Sequence, residues 1–233
     1  MKIIMSQSKK YNRTFHLPWS AGCTNDDKIA KSVDSLIGVP IIITEKMDGS
    51  NVSLERDGCF ARTHAGPPTH PSFDQLKALH ASLRLTIPQN FQLFGEWCYA
   101  KHSIEYTALP NYFMLFGARH LISDKDDFPI LYWNPWADIE HISKNMGLPT
   151  VPVIYGNIVV FSEIELKKFT DNAMSQPSAC GGIMEGVVVR LASGFDDDQF
   201  PESIMKCVRA NHVDPNNDHW KHQVITKNKL KTP

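Results

Sequence analysis

Hydrophobic and polar positions change period several times along the chain. Val39–Thr44 is a mostly β-branched apolar run, the pattern of a buried strand, and it leads into Glu45-Lys46-Met47-Asp48-Gly49. Asn51–Arg56 alternates, Asp57-Gly58 reads as a tight hairpin turn, and Cys59–Thr63 returns. Pro67-Pro68 and Pro71 break the chain before a helix near Ser72–Leu83. There Ser72 and Gln75 fit a capping box, and Phe73, Leu76, Leu79 and Leu83 share one face. Strands are predicted at Phe91–Trp97 and Tyr112–Ala118, flanking a polar loop. Asn134-Pro135 starts a helix that runs to about Met146, with Gly147 as its stop. Val151–Tyr155 is strand-like, and Ser162 with Glu165 marks a second capping box and a third helix. Gly181-Gly182 precedes the apolar β run Ile183–Leu191, and Ser203–Arg209 is the last strand. Strands dominate without regular alternation with helices, so the expected class is α+β with largely antiparallel sheets.

Composition narrows the picture only modestly. A chain of 233 residues allows one large domain or two small ones. A hydrophobic share of 42% and a charged share of 21% exclude disorder and fibrous repeats. No apolar run approaches the ~18 residues of a membrane span, and the polar, basic Gln7–Arg13 argues against a signal peptide. Five scattered cysteines without a C-x-x-C pair suggest neither a zinc ribbon nor a disulfide framework. The expectation is a soluble cytoplasmic protein with no membrane partner.

A net charge of −1 argues against a whole-surface attraction to nucleic acid, but it hides an asymmetry. Lys2, Lys9, Lys10 and Arg13 precede the first acidic residue, Asp26. Lys221, Lys227, Lys229 and Lys231 follow the last, Asp218. Either these ends are solvated and frayed, or they supply basic contacts to a phosphate backbone.

The residues able to carry chemistry interrupt the strands. Lys46 follows Ile41–Thr44 at the end of a buried strand, where lost solvation lowers an amine pKa and frees a nucleophile. Asp48 follows beyond the turn and can bind a metal or steady the ammonium. Glu96 ends the apolar run Phe91–Trp97, Glu185 precedes another, and Lys206 lies within a third. Charges are costly in buried strands unless paired or bound to a ligand. Lysines and an arginine suit phosphates; carboxylates suit ribose hydroxyls and a divalent metal. Asp196-Asp197-Asp198 reads as a solvated turn and the tryptophans as core. His64 and His102 lie beside the site strands. His219 and His222, at i, i+3 spacing, have no ligand framework nearby for a structural zinc.

With these motifs in hand, the sequence resembles the ATP-dependent RNA ligases of the covalent nucleotidyltransferase superfamily, in particular the RNA ligase 2-like branch and its small stand-alone members. The resemblance rests on Lys46-Met47-Asp48-Gly49-Ser50-Asn51, Arg62, Gly95-Glu96, Phe116, Glu185-Gly186-Val187-Val188-Val189-Arg190 and Lys206, in order over roughly residues 40–210. Gly95–Tyr106 and His16-Leu17-Pro18-Trp19-Ser20 are also typical of the small members.

The resemblance implies a nucleotidyltransferase core of ATP-grasp-like, two-subdomain architecture. It also implies one adenylyltransferase domain over residues 1–233, with basic segments at 1–25 and 219–233 and no OB-fold domain. It implies ATP and Mg²⁺ (or Mn²⁺) as cofactors, and RNA with 5′-phosphate and 3′-hydroxyl ends as partner. End-healing enzymes are possible further partners, and the expected state is a monomer. Lys46 would carry AMP, with Lys206 and Glu185 as further catalytic residues. Glu45, Asp48, Gly49, Asn51, Arg62, Glu96, Phe116 and Arg190 would bind the nucleotide, with Phe113 competing for the stacking role. Glu185 and Asp48 would serve the metal. Two positions depart from the family pattern: Gly117, where an aspartate usually follows the stacking aromatic, and Val208, where a second lysine is common. The alternatives are a nucleotide- or RNA-binding module without turnover, and a DNA ligase or capping-type nucleotidyltransferase.

Overall fold

The structure, a computed structural model, describes residues 10–63, 66–123, 129–210 and 225–232. Eleven strands, numbered along the chain, form two sheets within these residues. The first sheet has the order β1 (Phe15–His16), β11 (Ile204–Val208), β9 (Gly186–Leu191), β2 (Pro40–Lys46), β8 (Val153–Val159). The second has the order β10 (Phe195–Asp196), β7 (Pro129–Trp133), β6 (Phe113–Ser123), β5 (Phe91–Trp97), β3 (Ser50–Glu55), β4 (Cys59–Ala61). Every pairing is antiparallel except β1 with β11. Four helices accompany them: α1 (Asp74–Leu83), α2 (Trp136–Met146), α3 (Glu163–Met174) and the single turn α4 (Phe200–Ser203). The α+β class with antiparallel sheets therefore matches the sequence pattern, and no described helix is long and apolar enough to cross a membrane.

Strand alternation explains where the core and the open space fall. On the first sheet Ile41, Ile43, Val187, Val189, Met205 and Cys207 pack with Leu166 and Ala173 of α3. Their neighbours Thr44, Lys46, Val188, Arg190, Ile204 and Lys206 instead line a cavity between the sheets. Ile41 and Ile43 are fully buried, and such a side chain stabilises the fold by roughly 1.5–3 kcal/mol. The second sheet buries Val52, Leu54, Leu93, Trp97 and Phe113 against Leu76 of α1 and Ile139 of α2. Phe94, Trp133, Phe195, Phe200 and Ile204 form a smaller core.

Several local expectations need correction. Ser72 does not cap α1: Pro71–Phe73 is a 3₁₀ turn capped by His70, and the Ser72 carbonyl accepts the Trp97 indole N–H at 2.8 Å. The hairpin closes one residue earlier than Asp57-Gly58. The Glu55 N–H donates to the Gly58 carbonyl at 2.8 Å, so Arg56 and Asp57 are its central residues, and Gly58 is not left-handed. The third helix forms half of its capping box: Ser162 accepts from the Glu165 N–H at 3.2 Å, while the Glu165 carboxylate takes the N–H of Phe161. The second helix ends as read, with Gly147 left-handed at φ 64°. β7, β10 and the two-residue β1 were absent from the pattern reading; each is too short or too irregular to show a period.

The described part of the C-terminal segment is neither frayed nor free. Residues 225–232 zip onto the loop 98–109, with Lys101 N–H on the Thr226 carbonyl, Lys229 N–H on that of Tyr106 and Lys231 N–H on that of Leu109. Asn228 is buried: its side chain donates to the Cys98 carbonyl at 2.9 Å and accepts the Tyr106 N–H at 2.9 Å. Lys227 lies 5.1 Å from the Tyr99 ring centroid. The expectations for Lys2, Lys9, Lys221, His64, His219, His222 and Trp220 lie outside the described residues.

Candidate active site

The cavity between the sheets has a volume of about 260 Å³ and gathers side chains from both. From the first sheet come Lys46, at the end of β2, Arg190 on β9 and Lys206 on β11. From the second come Asn51 on β3, Glu96 on β5 and Phe116 on β6, with Arg62 just beyond β4. Register brings them together: Lys46 pairs with Gly186, Val188 with Lys206, and Asn51 with Glu96. Gly186 permits this because a Cβ there would strike the Cys207 carbonyl. Gly95 similarly has the Phe113 ring where a side chain would stand. That packing also separates the two aromatic candidates. Phe113 is fully buried in the large core, whereas Phe116 lines the cavity.

Lys46 is held by Glu185, with both carboxylate oxygens 2.7 Å from its Nζ. Burial favours the neutral amine, but Glu185, with Glu96 and Asp48 nearby, outweighs it and raises the Lys46 pKa. The expected lowering is thus reversed in this state: the lysine is an ammonium on its carboxylate, because pairing at hydrogen-bond distance exceeds desolvation here. Glu96 bears the opposite burden. Burial, reinforced by Glu185 and Asp48, pushes its carboxyl up to about 8, although Lys46 and the Gly49 N–H at 3.2 Å pull the other way.

The remaining expected residues have distinct surroundings. Asp48 Oδ2 accepts the N–H groups of Ser103 and Ile104 at 2.7 and 2.8 Å, and the Asp48 N–H donates to the Tyr106 hydroxyl at 2.8 Å. Asp48 therefore ties the turn after Lys46 to the loop 98–109, and His102 of that loop reaches Ser50 Oγ at 3.5 Å. Glu45 lines the cavity while its buried carboxylate accepts the Ala179 N–H at 3.1 Å; burial raises its pKa. Arg190 donates to the carbonyls of Phe116, Asn134 and Leu191 at 3.0, 3.1 and 3.4 Å and lies over the Trp136 ring. Burial lowers it to about 10. Arg62 is exposed at the cavity wall. Arg209 points away from Lys206, to the Met174 carbonyl at the end of α3, as strand alternation anticipates.

A further wall comes from residues 11–14 and Asp27, none of which was singled out by motif. Tyr11 packs edge-on to Phe116, with centroids 5.1 Å apart. Lys206 Nζ donates to Asp27 Oδ1 at 3.3 Å, while Asp27 Oδ2 accepts from Thr24 N and Oγ1 at 3.1 and 2.9 Å. Burial acts to raise the Asp27 pKa, but Thr24 and Lys206 hold it well below the usual carboxylate range. His16, Cys23 and Asp27 bring ligand-capable atoms within 4.8 Å of one another, yet the carboxylate is already engaged by Thr24 and an ammonium. The solvated-turn reading of Asp197 is also corrected. Its Oδ1 accepts from the fully buried Arg119 at 2.9 Å, from Trp133 Nε1 at 2.8 Å and from Asn12 Nδ2 at 3.0 Å.

Comparison with known proteins shows the family. A family model described as RNA ligase matches residues 39–208, the stretch from β2 to β11 that supplies the central cavity residues. The chain belongs to the RNA ligase family. No curated protein matches it in sequence. Among solved structures, a putative ATP-dependent DNA ligase from Aquifex aeolicus aligns with a TM-score of 0.53 and 16% identity, covering 87% of this chain and 50% of its own. An RNA ligase from Naegleria gruberi gives 0.49 at 15% identity, covering 76% and 51%. An archaeal ATP-dependent RNA ligase gives 0.48 at 14% identity, covering 87% and 48%. At this distance the likeness to the Aquifex protein is one of fold, and the chain spans about half the length of these ligases. Lys46, Glu96 and Lys206 line one cavity, and Glu185, just before β9, joins them by pairing with Lys46.

Proposed function

We propose that this chain is an ATP-dependent RNA ligase that works through a lysyl-adenylate. The observation that carries the reading is Lys46 on Glu185 at 2.7 Å, in a cavity that also presents Phe116, Glu96, Arg62 and Lys206. Lys46 first gives its ammonium proton to Glu185; the neutral Nζ attacks the α-phosphorus of ATP, the bond to the pyrophosphate oxygen breaks, and the nitrogen releases its second proton to solvent as the phosphoramidate forms. A 5′-phosphate oxygen of RNA then attacks the same phosphorus, and the P–N bond returns its electrons to Lys46. A 3′-hydroxyl finally attacks the activated 5′-phosphate and AMP departs.

The neighbouring groups divide this work. Phe116 stacks on the adenine, as an aromatic face suits any base plane, and Glu45 meets its edge through backbone atoms. Glu96 accepts from ribose hydroxyls, a role open to it once ionised. Gly49 and Asn51 position the nucleotide, and Arg62 holds phosphates or the incoming 5′ end. Lys206 and Arg190 place positive charge beside the α-phosphate, where negative charge builds in the transition state. Arg190 acts as a fixed charge behind Phe116, because each of its three nitrogens already donates to a carbonyl. Glu185, and Asp48 through water, would hold Mg²⁺ or Mn²⁺. These oxygen donors suit such hard ions, which when bound neutralise phosphate charge.

We read the two sheets as the halves of an ATP-grasp-like, two-subdomain adenylyltransferase domain, acting as a monomer on RNA ends left by end-healing enzymes. Incubation with Mg²⁺ and α-labelled ATP or GTP tests the activity. Label from ATP that survives denaturation and is followed by sealing of a 5′-phosphate/3′-hydroxyl RNA is the expected result. Label from GTP alone would point to a capping-type enzyme, and no label to a binding module.

A further inference from the structure

The segment before Lys46 wraps the edge of the first sheet. β1 runs parallel to β11 and sets His16 beside Lys206. The chain then leaves and returns: Leu17 N–H donates to the Lys206 carbonyl, and Gly22 N–H to that of Val208. His16 N–H meets the Lys28 carbonyl at 2.7 Å and the Ala30 N–H meets the His16 carbonyl at 2.8 Å, so both sides of the loop are clasped. Ser20 Oγ accepts the Val208 N–H at 2.9 Å and lies 2.7 Å from His16 Nδ1, which fixes the imidazole. His16 is only 1% exposed, and its Nε2 stands 3.3 Å from Asp27 Oδ2. With both Thr24 donors on the same oxygen, Asp27 is locked, and its Oδ1 meets the Lys206 ammonium.

From this geometry we infer that Asp27, braced by Thr24 and His16, is a positioning residue that holds the Lys206 ammonium in place for adenylyl transfer. The inference rests on the ligase reading above. Two cavity lysines repel each other, and each has a separate carboxylate: Lys46 has Glu185, and Lys206 has Asp27. The groups acting on Lys206 come from three directions: Asp27 and His16 in the wrap, Lys46 from β2, and Glu185 before β9. Burial and Lys46 act to lower the Lys206 pKa, and Asp27 opposes them. Without it the lysine would lose both its orientation and part of its charge.

The test compares wild type, Asp27→Asn, Asp27→Glu and Lys206→Gln in self-adenylylation with Mg²⁺ and α-labelled ATP across pH, with thermal melts alongside. Asp27→Asn keeps an oxygen for Thr24 but removes the charge and turns an amide NH2, a donor, toward the Lys206 ammonium. It should slow adenylylation about tenfold or more, with a smaller change in KM for ATP. Its alkaline fall in rate should move to lower pH by about one unit, since Lys206 has lost its counter-ion. Asp27→Glu should restore the alkaline limb without restoring the full rate. In a Lys206→Gln background, Asp27→Asn should add no further loss.

A wild-type rate and an unmoved pH profile in folded Asp27→Asn would overturn the inference. So would an undiminished cost in the Lys206→Gln background. Should Asp27→Asn melt early, Asp27→Glu in the wild-type and Lys206→Gln backgrounds still decides: a positioning role predicts a rate loss that vanishes without Lys206, and a purely structural carboxylate the same loss in both. A wild-type protein that takes no label defeats the ligase reading itself; a labelled wild type with an indifferent Asp27→Asn defeats only this step.

Discussion

Two sets of buried charges lie between the same pair of sheets and are built to opposite ends. Around Arg119 the side chains close on one another: Gln92 takes its Nε, Asp197 its Nη1, and the rings of Phe94 and Trp133 cover its plane. Trp133 and Asn12 bond the same aspartate, so the segment 10–14 is anchored against the second sheet. Around Lys46 and Lys206 the charges also pair, but each pair faces a cavity of about 260 Å³. A closed network leaves nothing for a ligand and serves the fold. An open one keeps carboxylates and ammonium groups that phosphate oxygens can exchange for. Breaking either should therefore separate stability from chemistry.

The largest expected effect is at Glu185. Glu185→Gln removes the charge that holds Lys46, and adenylylation should fall by about 10²-fold or more, measured as label per folded molecule, with a minor change in melting. Arg119→Met should do the reverse. It strands Asp197 and Gln92 in a packed site and should cost about 3 kcal/mol in urea unfolding, while the folded fraction still takes label.

Glu96 comes next, and here pH gives the sign. Its folded pKa is raised from 4.5 to about 8, so its contribution to stability is full below the unfolded value and is lost as pH rises to about 8. The nucleotide-free wild type should weaken over this interval relative to Glu96→Gln. The difference should be on the order of 2 kcal/mol, less than full linkage because the carboxylate is partly open to solvent. The smallest effect is expected at Asn228. Asn228→Ala removes the bonds to Cys98 and Tyr106 and should cost about 1–2 kcal/mol, with faster amide exchange in the loop 98–109.

The same contrast explains what could be read before the fold was known. Lys46, Glu96, Glu185 and Lys206 were legible because each is a charge set against an apolar strand, an arrangement costly enough to need a reason, and Arg190 through the family resemblance. Lys46, Glu96, Arg190 and Lys206 converge in one cavity by the register that β-pairing enforces, and Glu185 joins them by pairing with Lys46. Asp27 carried no such signal. It lies in a polar loop and reaches Lys206 only because a two-residue strand pairs across nearly the whole chain. Asp197 looked solvated for the same reason: its neighbours are acidic, and its partners, Arg119 and Trp133, come from other strands. The state of Lys46 was misjudged because burial could be inferred locally, whereas Glu185 at 2.7 Å is a tertiary fact.

The most direct measurement is the intact mass of the protein after incubation with ATP and Mg²⁺, followed by peptide mapping of the adduct. The account predicts a gain of one AMP on the peptide carrying Lys46, absent in Lys46→Ala and reversed by added pyrophosphate. An adduct elsewhere, or none in a wild type that binds ATP, would contradict it.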